Sequence, residues 1–124
     1  MKLSSIRIVT RDVLMLSRFY EAVTGVPATG NADFVELHLS GSTLAMCSVQ
    51  SIAKENVMAA VSSQNRSLIL EFEVADVDAD RARMQTLNIV WVMEPTTHLW
   101  GKRSMLFRDP DGNLICFFSQ LPAR

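Results

Sequence analysis

Glu36 and His38 stand two residues apart, and so do Glu71 and Glu73. In an extended segment, residues at i and i+2 share a face, so each pair would present both side chains to one environment. A carboxylate beside an imidazole can act as a base. The two pairs together could also hold a metal at a displaced site, with His38 as its one certain nitrogen ligand. The plainer alternative is ion pairing with Arg7 or Arg103, or simple exposure. His98 precedes Trp100 and has only Glu94 near it in sequence, so it reads as a surface-loop histidine rather than a base. The chain has two His and two Cys in 124 residues. Cys47 and Cys116 lie in apolar segments without CxxC spacing and read as reduced, buried thiols of a cytoplasmic protein. Neither a Gly-x-Ser-x-Gly nucleophile motif nor a glycine-rich phosphate loop is present.

Composition narrows the classes further. Twelve Lys plus Arg against thirteen Asp plus Glu give a net charge of −1, with 48% hydrophobic and 20% charged residues. That is a globular composition, long enough for one domain with a core that needs no disulfide or metal. The balance argues against a nucleic-acid partner. No apolar run approaches the roughly 18 residues that span a bilayer, so no membrane role is expected. The polar and apolar alternation of Met1 to Asp12 lacks the apolar stretch of a signal peptide.

The elements that must position these residues follow from periodicity. Ser5 to Thr10 alternates as a half-buried strand. Asp12 can cap a helix in which Leu16, Phe19, Tyr20 and Val23 form one stripe, ended by Gly25 and Pro27. A weak strand is expected around Ala28 to Asn31. Asp33 to Leu39 and Thr43 to Val49 form a hairpin about Ser40-Gly41-Ser42. A short helix is possible over Ile52 to Val61, within a linker of about 51–66. Ser67 to Ala75 is a strand, Asp76 caps a helix over Val77 to Leu87, and Ile89 to Met93 is an apolar strand. Pro95 to Gly101 reads as a loop. Arg103 to Phe107 and Asn113 to Ser119 are strands joined by the turn Asp109-Pro110-Asp111-Gly112. The order β-α-β-β-β occurs twice, with Asp12 and Asp76 at the same junction 64 residues apart, as in a divergent internal repeat. The fold class is α+β in one domain, 1–124, with modules of about 1–50 and 67–121.

Strand faces turned away from the helices would line a cup. They are expected to carry Ser5, Arg7, Phe34, Glu36, His38, Leu44, Met46, Ser48, Ile69, Glu71, Glu73, Leu106, Cys116 and Phe118. An apolar floor with scattered charge suits a ligand site. Trp91 reads as core. Trp100 reads equally as packing or as a stacking surface. Acids among aromatic side chains favour a planar or cationic ligand.

Asp12 before a helix with Phe19-Tyr20, and Trp100-Gly101-x-Arg103 followed by Phe107-x-Asp109-Pro110-Asp111-Gly112-Asn113-Leu114-Ile115, resemble the vicinal oxygen chelate superfamily. That group contains glyoxalase I, bleomycin-resistance proteins and extradiol dioxygenases. The resemblance covers nearly the whole chain and implies two βαβββ modules forming an eight-stranded curved mixed sheet around a cavity. It also implies a homodimer. Enzymes of the family bind a divalent metal through His or Glu on inward strand faces. The matching positions here read as Ser5, Met46, Ile69 and Cys116, of which Cys116 alone is a soft ligand. No cofactor is therefore expected.

These readings converge on a metal-free protein of the glyoxalase/bleomycin-resistance type. It would sequester a small aromatic or cationic drug or metabolite, as in antibiotic resistance. The residues expected to bind the ligand are Phe34, Glu36, His38, Glu71, Glu73, Trp100 and Phe118. The alternative is a glyoxalase- or dioxygenase-like enzyme, a lyase or oxidoreductase, with a displaced divalent metal or with Glu36 or His38 as base.

Overall fold

The computed structural model of the chain describes residues 1–55 and 60–121. They fall into two compact units, Met1–Gln64 and Asn65–Arg124, divided inside the segment read as a linker.

The first unit runs β1 (Ser5–Thr10), α1 (Val13–Thr24), β2 (Thr29–Gly30), β3 (Phe34–Leu39), β4 (Ser42–Ser48) and α2 (Val49–Glu55). Its sheet has the order β1-β4-β3-β2, with β1 parallel to β4 and the other neighbours antiparallel. The Asp12 carboxylate accepts from the Met15 amide at 3.0 Å and satisfies one of the free amides of the first turn of α1. Gly25 closes that helix at φ 73°, in the left-handed region where a Cβ is costly. Leu16, Tyr20 and Val23 are buried, as the helical stripe requires. Leu16 and Leu37, both fully buried, each contribute about 1.5–3 kcal/mol relative to exposure. Gly30 sits at φ 138°, and a Cβ there would lie 2.1 Å from the Phe34 carbonyl oxygen, so only glycine fits this short strand.

The second unit repeats the plan: β5 (Ile69–Glu73), α3 (Val77–Arg83), a 3-10 turn (Met84–Thr86), β6 (Val90–Thr97), β7 (Lys102–Arg108) and β8 (Leu114–Gln120). Its sheet order, β5-β8-β7-β6, matches the first rank for rank. Asp76 caps α3 by accepting from the Ala79 amide at 3.1 Å, so the two aspartates do the same work in both modules. On the helix side, the rings of Phe72, Phe117, Phe107 and Trp91 pack in sequence with centroids 5.1–5.6 Å apart. The Arg81 guanidinium of α3 lies 4.1 Å above the Trp91 ring. The chain is thus α+β with two βαβββ modules, its eight strands laddered as one four-stranded mixed sheet in each.

Three expectations need correction. The helix in the supposed linker starts at Val49, immediately after β4, and ends at Glu55. The rest of the span expected for it, to Val61, runs into residues 56–59, which lie outside those described. The helix after Asp76 is shorter, tightening into a 3-10 turn from Met84. The strand after Ile89 does not stop at Met93 but continues through Pro95 to Thr97. Proline is tolerated there because β6 is an edge strand and its pairing with β7 slips between Met93 and Thr96.

Exposed ion pairs tie the helices down. Arg7 grips Glu55 at 2.7 and 2.9 Å, Arg103 grips Asp78 at 2.7 and 2.9 Å, and Arg81 holds Glu94 at 2.7 Å. The arginine hydrogen bonds hold the carboxyl pKa values of Glu55, Asp78 and Glu94 below their ordinary values. A carboxylate whose pKa is lowered by folding stabilises the fold above its unfolded value. That contribution is lost as pH falls through the folded value. Asp78→Asn is therefore expected to lower Tm slightly at about pH 6, with the gap to the parent narrowing as pH falls below the ordinary carboxylate range and shrinking in high salt. A gap independent of pH and salt would contradict this reading.

Candidate functional site

Strand register fixes which side chains share a surface. In the second sheet, Glu73, Phe118, Ser104 and Thr96 form one cross-strand row. Glu71, Cys116, Leu106 and Met93 form the next, and Ile69, Leu114, Arg108 and Val90 the third. Lys102 extends the same face on β7, opposite Gln120. The fully buried Met105, Phe107 and Ile115 and the nearly buried Phe117 all point to the opposite face, which α3 covers. No helix of this unit covers the face of Glu71 and Phe118 among the described residues.

Its chemistry is mixed. Glu71 and Glu73 are exposed, Phe118 and Leu106 are half-buried, and Cys116 is buried. Arg7 and Arg103, considered above as structural partners for the acids, are taken by Glu55 and Asp78. Among the described residues neither Glu71 nor Glu73 has an ion-pair partner. Burial pushes the Cys116 thiol up, and the Glu71 charge adds to the rise. Lys102 and a hydrogen bond from Ser104 oppose it. Cys116 is thus a protonated thiol at neutral pH and a poor nucleophile.

At one end of the face, β6 and β7 are joined by a tight turn. The His98 amide donates to the Lys102 carbonyl at 2.8 Å, and Gly101 takes φ 88°. The His98 ring shares a hydrogen bond between Nε2 and Ser104 Oγ at 2.7 Å. It stacks on Trp100 with centroids 4.4 Å apart and planes 6° from parallel. Trp100 is 73% exposed. His98 is therefore not a free loop histidine. It is held by Ser104 and in turn orients an indole whose surface is largely open to solvent. Lys102 Nζ lies 4.4 Å from the centroid of the Phe118 ring.

The sequence missed the parts played by Ser104, Lys102 and His98. Alternation back from Leu106 places Ser104 on this face within the expected strand, while Lys102 lies one residue before its expected start at Arg103. Trp91, expected in the core, is half-buried on the helix face.

The open face of the first sheet carries three rows: Ser5, Thr43 and His38; Arg7, Ala45 and Glu36; Val9, Cys47 and Phe34. Here α2 changes the expectation. Its Ile52 packs with Val9 and Cys47, and Phe34 lies against that cluster. Phe34 is thus committed to packing under α2. Arg7 is committed to Glu55. Glu36 is half-buried and His38 exposed, the latter 3.4 Å from the Thr43 hydroxyl through Nδ1.

Leu44, Met46 and Ser48 were expected on the cup side, and the register overturns this. Met46 pairs with Ile8 and Val35, and Leu44 with Ile6 and Leu37, on the face away from α2. Ala45 stands on the rung of Arg7, one step beyond the Ser5 rung, as Cys116 stands one step beyond the Ile69 rung. Ala45, not Met46, therefore shares the face of Ser5 in the first sheet, and that pair offers one hydroxyl. In the second sheet Ile69 and Cys116 offer one protonated thiol, and neither pair fits a hard divalent cation. Among the described residues no three His, Cys, Asp or Glu side chains gather where they could hold a metal. No helix of the described residues is long and apolar enough to cross a membrane.

Comparison with known proteins places this geometry in context. The model of a family described as "Glyoxalase/Bleomycin resistance protein/Dioxygenase superfamily" matches residues 2–117. The uncharacterized protein YraH of Bacillus subtilis (strain 168) is 27% identical over 132 residues, covering 98% of this chain and 100% of that protein. A glyoxalase/bleomycin resistance protein/dioxygenase family enzyme from Burkholderia phytofirmans PsJN superposes with a TM-score of 0.85 at 19% identity, over 98% of this chain and 100% of that one. A glyoxalase/bleomycin resistance protein/dioxygenase from Nocardioides gives 0.80 at 20% identity, over 100% of this chain and 86% of its own.

Proposed function

The chain belongs to the glyoxalase/bleomycin resistance protein/dioxygenase superfamily, and from that premise we propose that it binds a planar, cationic small molecule without a metal, sequestering a drug or metabolite. The observation that carries the reading is the open face of the second sheet. Two carboxylates without ion-pair partners among the described residues stand beside a half-buried phenyl ring, and a buttressed, exposed indole marks the end of that face. Unpaired carboxylates attract a cation, and aromatic faces add stacking and cation–π attraction.

Glu71, Glu73, Phe118 and Trp100 would make the contacts, with His98 and Ser104 positioning the indole. Glu36 and His38 would be a separate pair of polar contacts on the open face of the first sheet. Phe34 would contribute through packing alone. The protein would work as a cytoplasmic homodimer. A glyoxalase- or dioxygenase-like reaction would need ligands that neither Ser5 and Ala45 in the first unit nor Ile69 and Cys116 in the second supply.

A panel of planar aromatic antibiotics and cationic dyes, screened by thermal shift, tests this proposal. A ligand that binds the native state raises Tm, by the equivalent of about 2.7 kcal/mol at one hundred times its Kd. Cationic planar compounds are expected to raise Tm and to quench tryptophan fluorescence, while their anionic counterparts do neither. A panel with no response, or a response confined to anions, would overturn the proposal.

A further inference from the structure

We infer that the Phe118 ring is an ammonium-recognition subsite and that Lys102 is its built-in competitor, which sets how strong a cation the site admits. The inference rests on the proposed binding of a cationic ligand and names the group that is read.

The Lys102 ammonium sits 4.4 Å from the centroid of the Phe118 ring, within the distance at which a cation is attracted by the ring quadrupole. Among the described residues it has no carboxylate partner, although Glu71 and Glu73 lie on the same face. The chain's own cation therefore takes the aromatic ring and leaves both carboxylates open. Glu73 is directly across the ladder from Phe118, one strand spacing of about 4.8 Å away. A ligand ammonium at the ring would have that carboxylate at its side. Lys102 reaches the ring from β7, the strand on the other side of β8.

Ring and carboxylate are thus neighbours across one ladder, with a tethered ammonium resting on the ring. Lysine suits the part. Its ammonium is compact and its stem flexible, so it can swing off the ring to solvent without breaking another bond. A ligand meets a ring that is free only part of the time, and its apparent Kd rises by the inverse of that fraction. Weak cations lose this competition. Quaternary ammonium groups, which shed water more readily than a primary amine, win it.

The experiment is a titration of benzyltrimethylammonium into the parent protein, Lys102→Met and Phe118→Leu, by calorimetry. In parallel, the Lys102 ε-methylene resonance of the parent is followed by NMR. The ring current of Phe118 should hold that resonance upfield, and saturating probe should return it to the position of a free lysine. Lys102→Met should bind about three- to tenfold more tightly, and Phe118→Leu about tenfold more weakly. Arg108→Met, which removes a cation from the same face but not from the ring, should change the affinity less than Lys102→Met does.

If the parent binds the probe, an unchanged or weaker affinity in Lys102→Met, or a Lys102 resonance that stays in place, overturns the inference and leaves the binding proposal standing. If planar dyes bind and benzyltrimethylammonium binds no variant, the ammonium subsite falls alone. If neither dyes nor probe bind, both fall. The NMR arm on the parent decides the matter even should Phe118→Leu fail to fold.

Discussion

Asp109→Ala is expected to destabilise the protein by about 3–5 kcal/mol, from the loss of partners for buried donors. Asp109 is 3% exposed and organises the turn between β7 and β8. Its Oδ1 accepts from the amides of Asp111 and Asn113, each at 2.9 Å, and its Oδ2 from the Asn113 side-chain amide at 2.8 Å. Asn113 is itself buried and receives a further hydrogen bond from Asn65 at 3.2 Å. Alanine removes every acceptor at once while the Asn113 donors stay buried and the Asp111 amide half-buried, and each buried orphaned donor costs about 1–3 kcal/mol. Asp109→Asn should cost less, since Oδ1 survives, but it sets an amide donor against the Asn113 amide. Equilibrium denaturation measures both variants. A loss below about 1 kcal/mol for alanine would show that water satisfies the turn. The expected loss is a large share of the roughly 5–15 kcal/mol that holds an ordinary domain together. The turn Asp109-Pro110-Asp111-Gly112, within the segment that carries the family resemblance, is thus held together by Asp109.

Glu71→Gln combined with Glu73→Gln is expected to weaken binding of a planar cation by about tenfold or more while leaving Tm unchanged. Both side chains are exposed and neither holds an arginine among the described residues, so glutamine is expected to undo nothing that their charge does for the fold. Facing a ligand, two carboxylates on adjacent rungs of one face act on the same cation, and their loss removes most of the attraction. A neutral ligand of the same shape should bind parent and variant alike. Equal affinity for the cation in both would remove the acids from the site. A fall in Tm instead would assign them to stability.

How far the sequence led depended on whether burial was one-sided. Asp12 and Asp76 stood out because a cap has a fixed chemistry, and both aspartates cap helices through their side chains. The alternation Ile69, Glu71, Glu73 was readable because one face of β5 meets the core and the other does not. On β4 the same reasoning failed. Leu44 to Ser48 are all buried, since the sheet meets α1 on one face and Ile52 of α2 on the other. With no polar side to set the phase, Met46 and Ala45 could not be told apart, and only the ladder to β1 and β3 decides between them.

The role of α2 was hidden for a related reason. It is seven residues long and buries Ile52 alone, which leaves too little periodicity to read. The contacts from His98 to Ser104 and from Lys102 to Phe118 are products of a turn and a ladder, and no spacing in the sequence encodes them.

Binding that needs no metal is the property on which the proposed function rests. The direct measurement is calorimetric titration of a planar cationic dye into the protein after dialysis against a chelator, with metal content determined on the same sample. Saturable binding with less than stoichiometric metal is expected, unchanged when zinc, nickel, manganese or iron is added back. Stoichiometric metal surviving the chelator, or binding that appears only when one of those ions is restored, would contradict it.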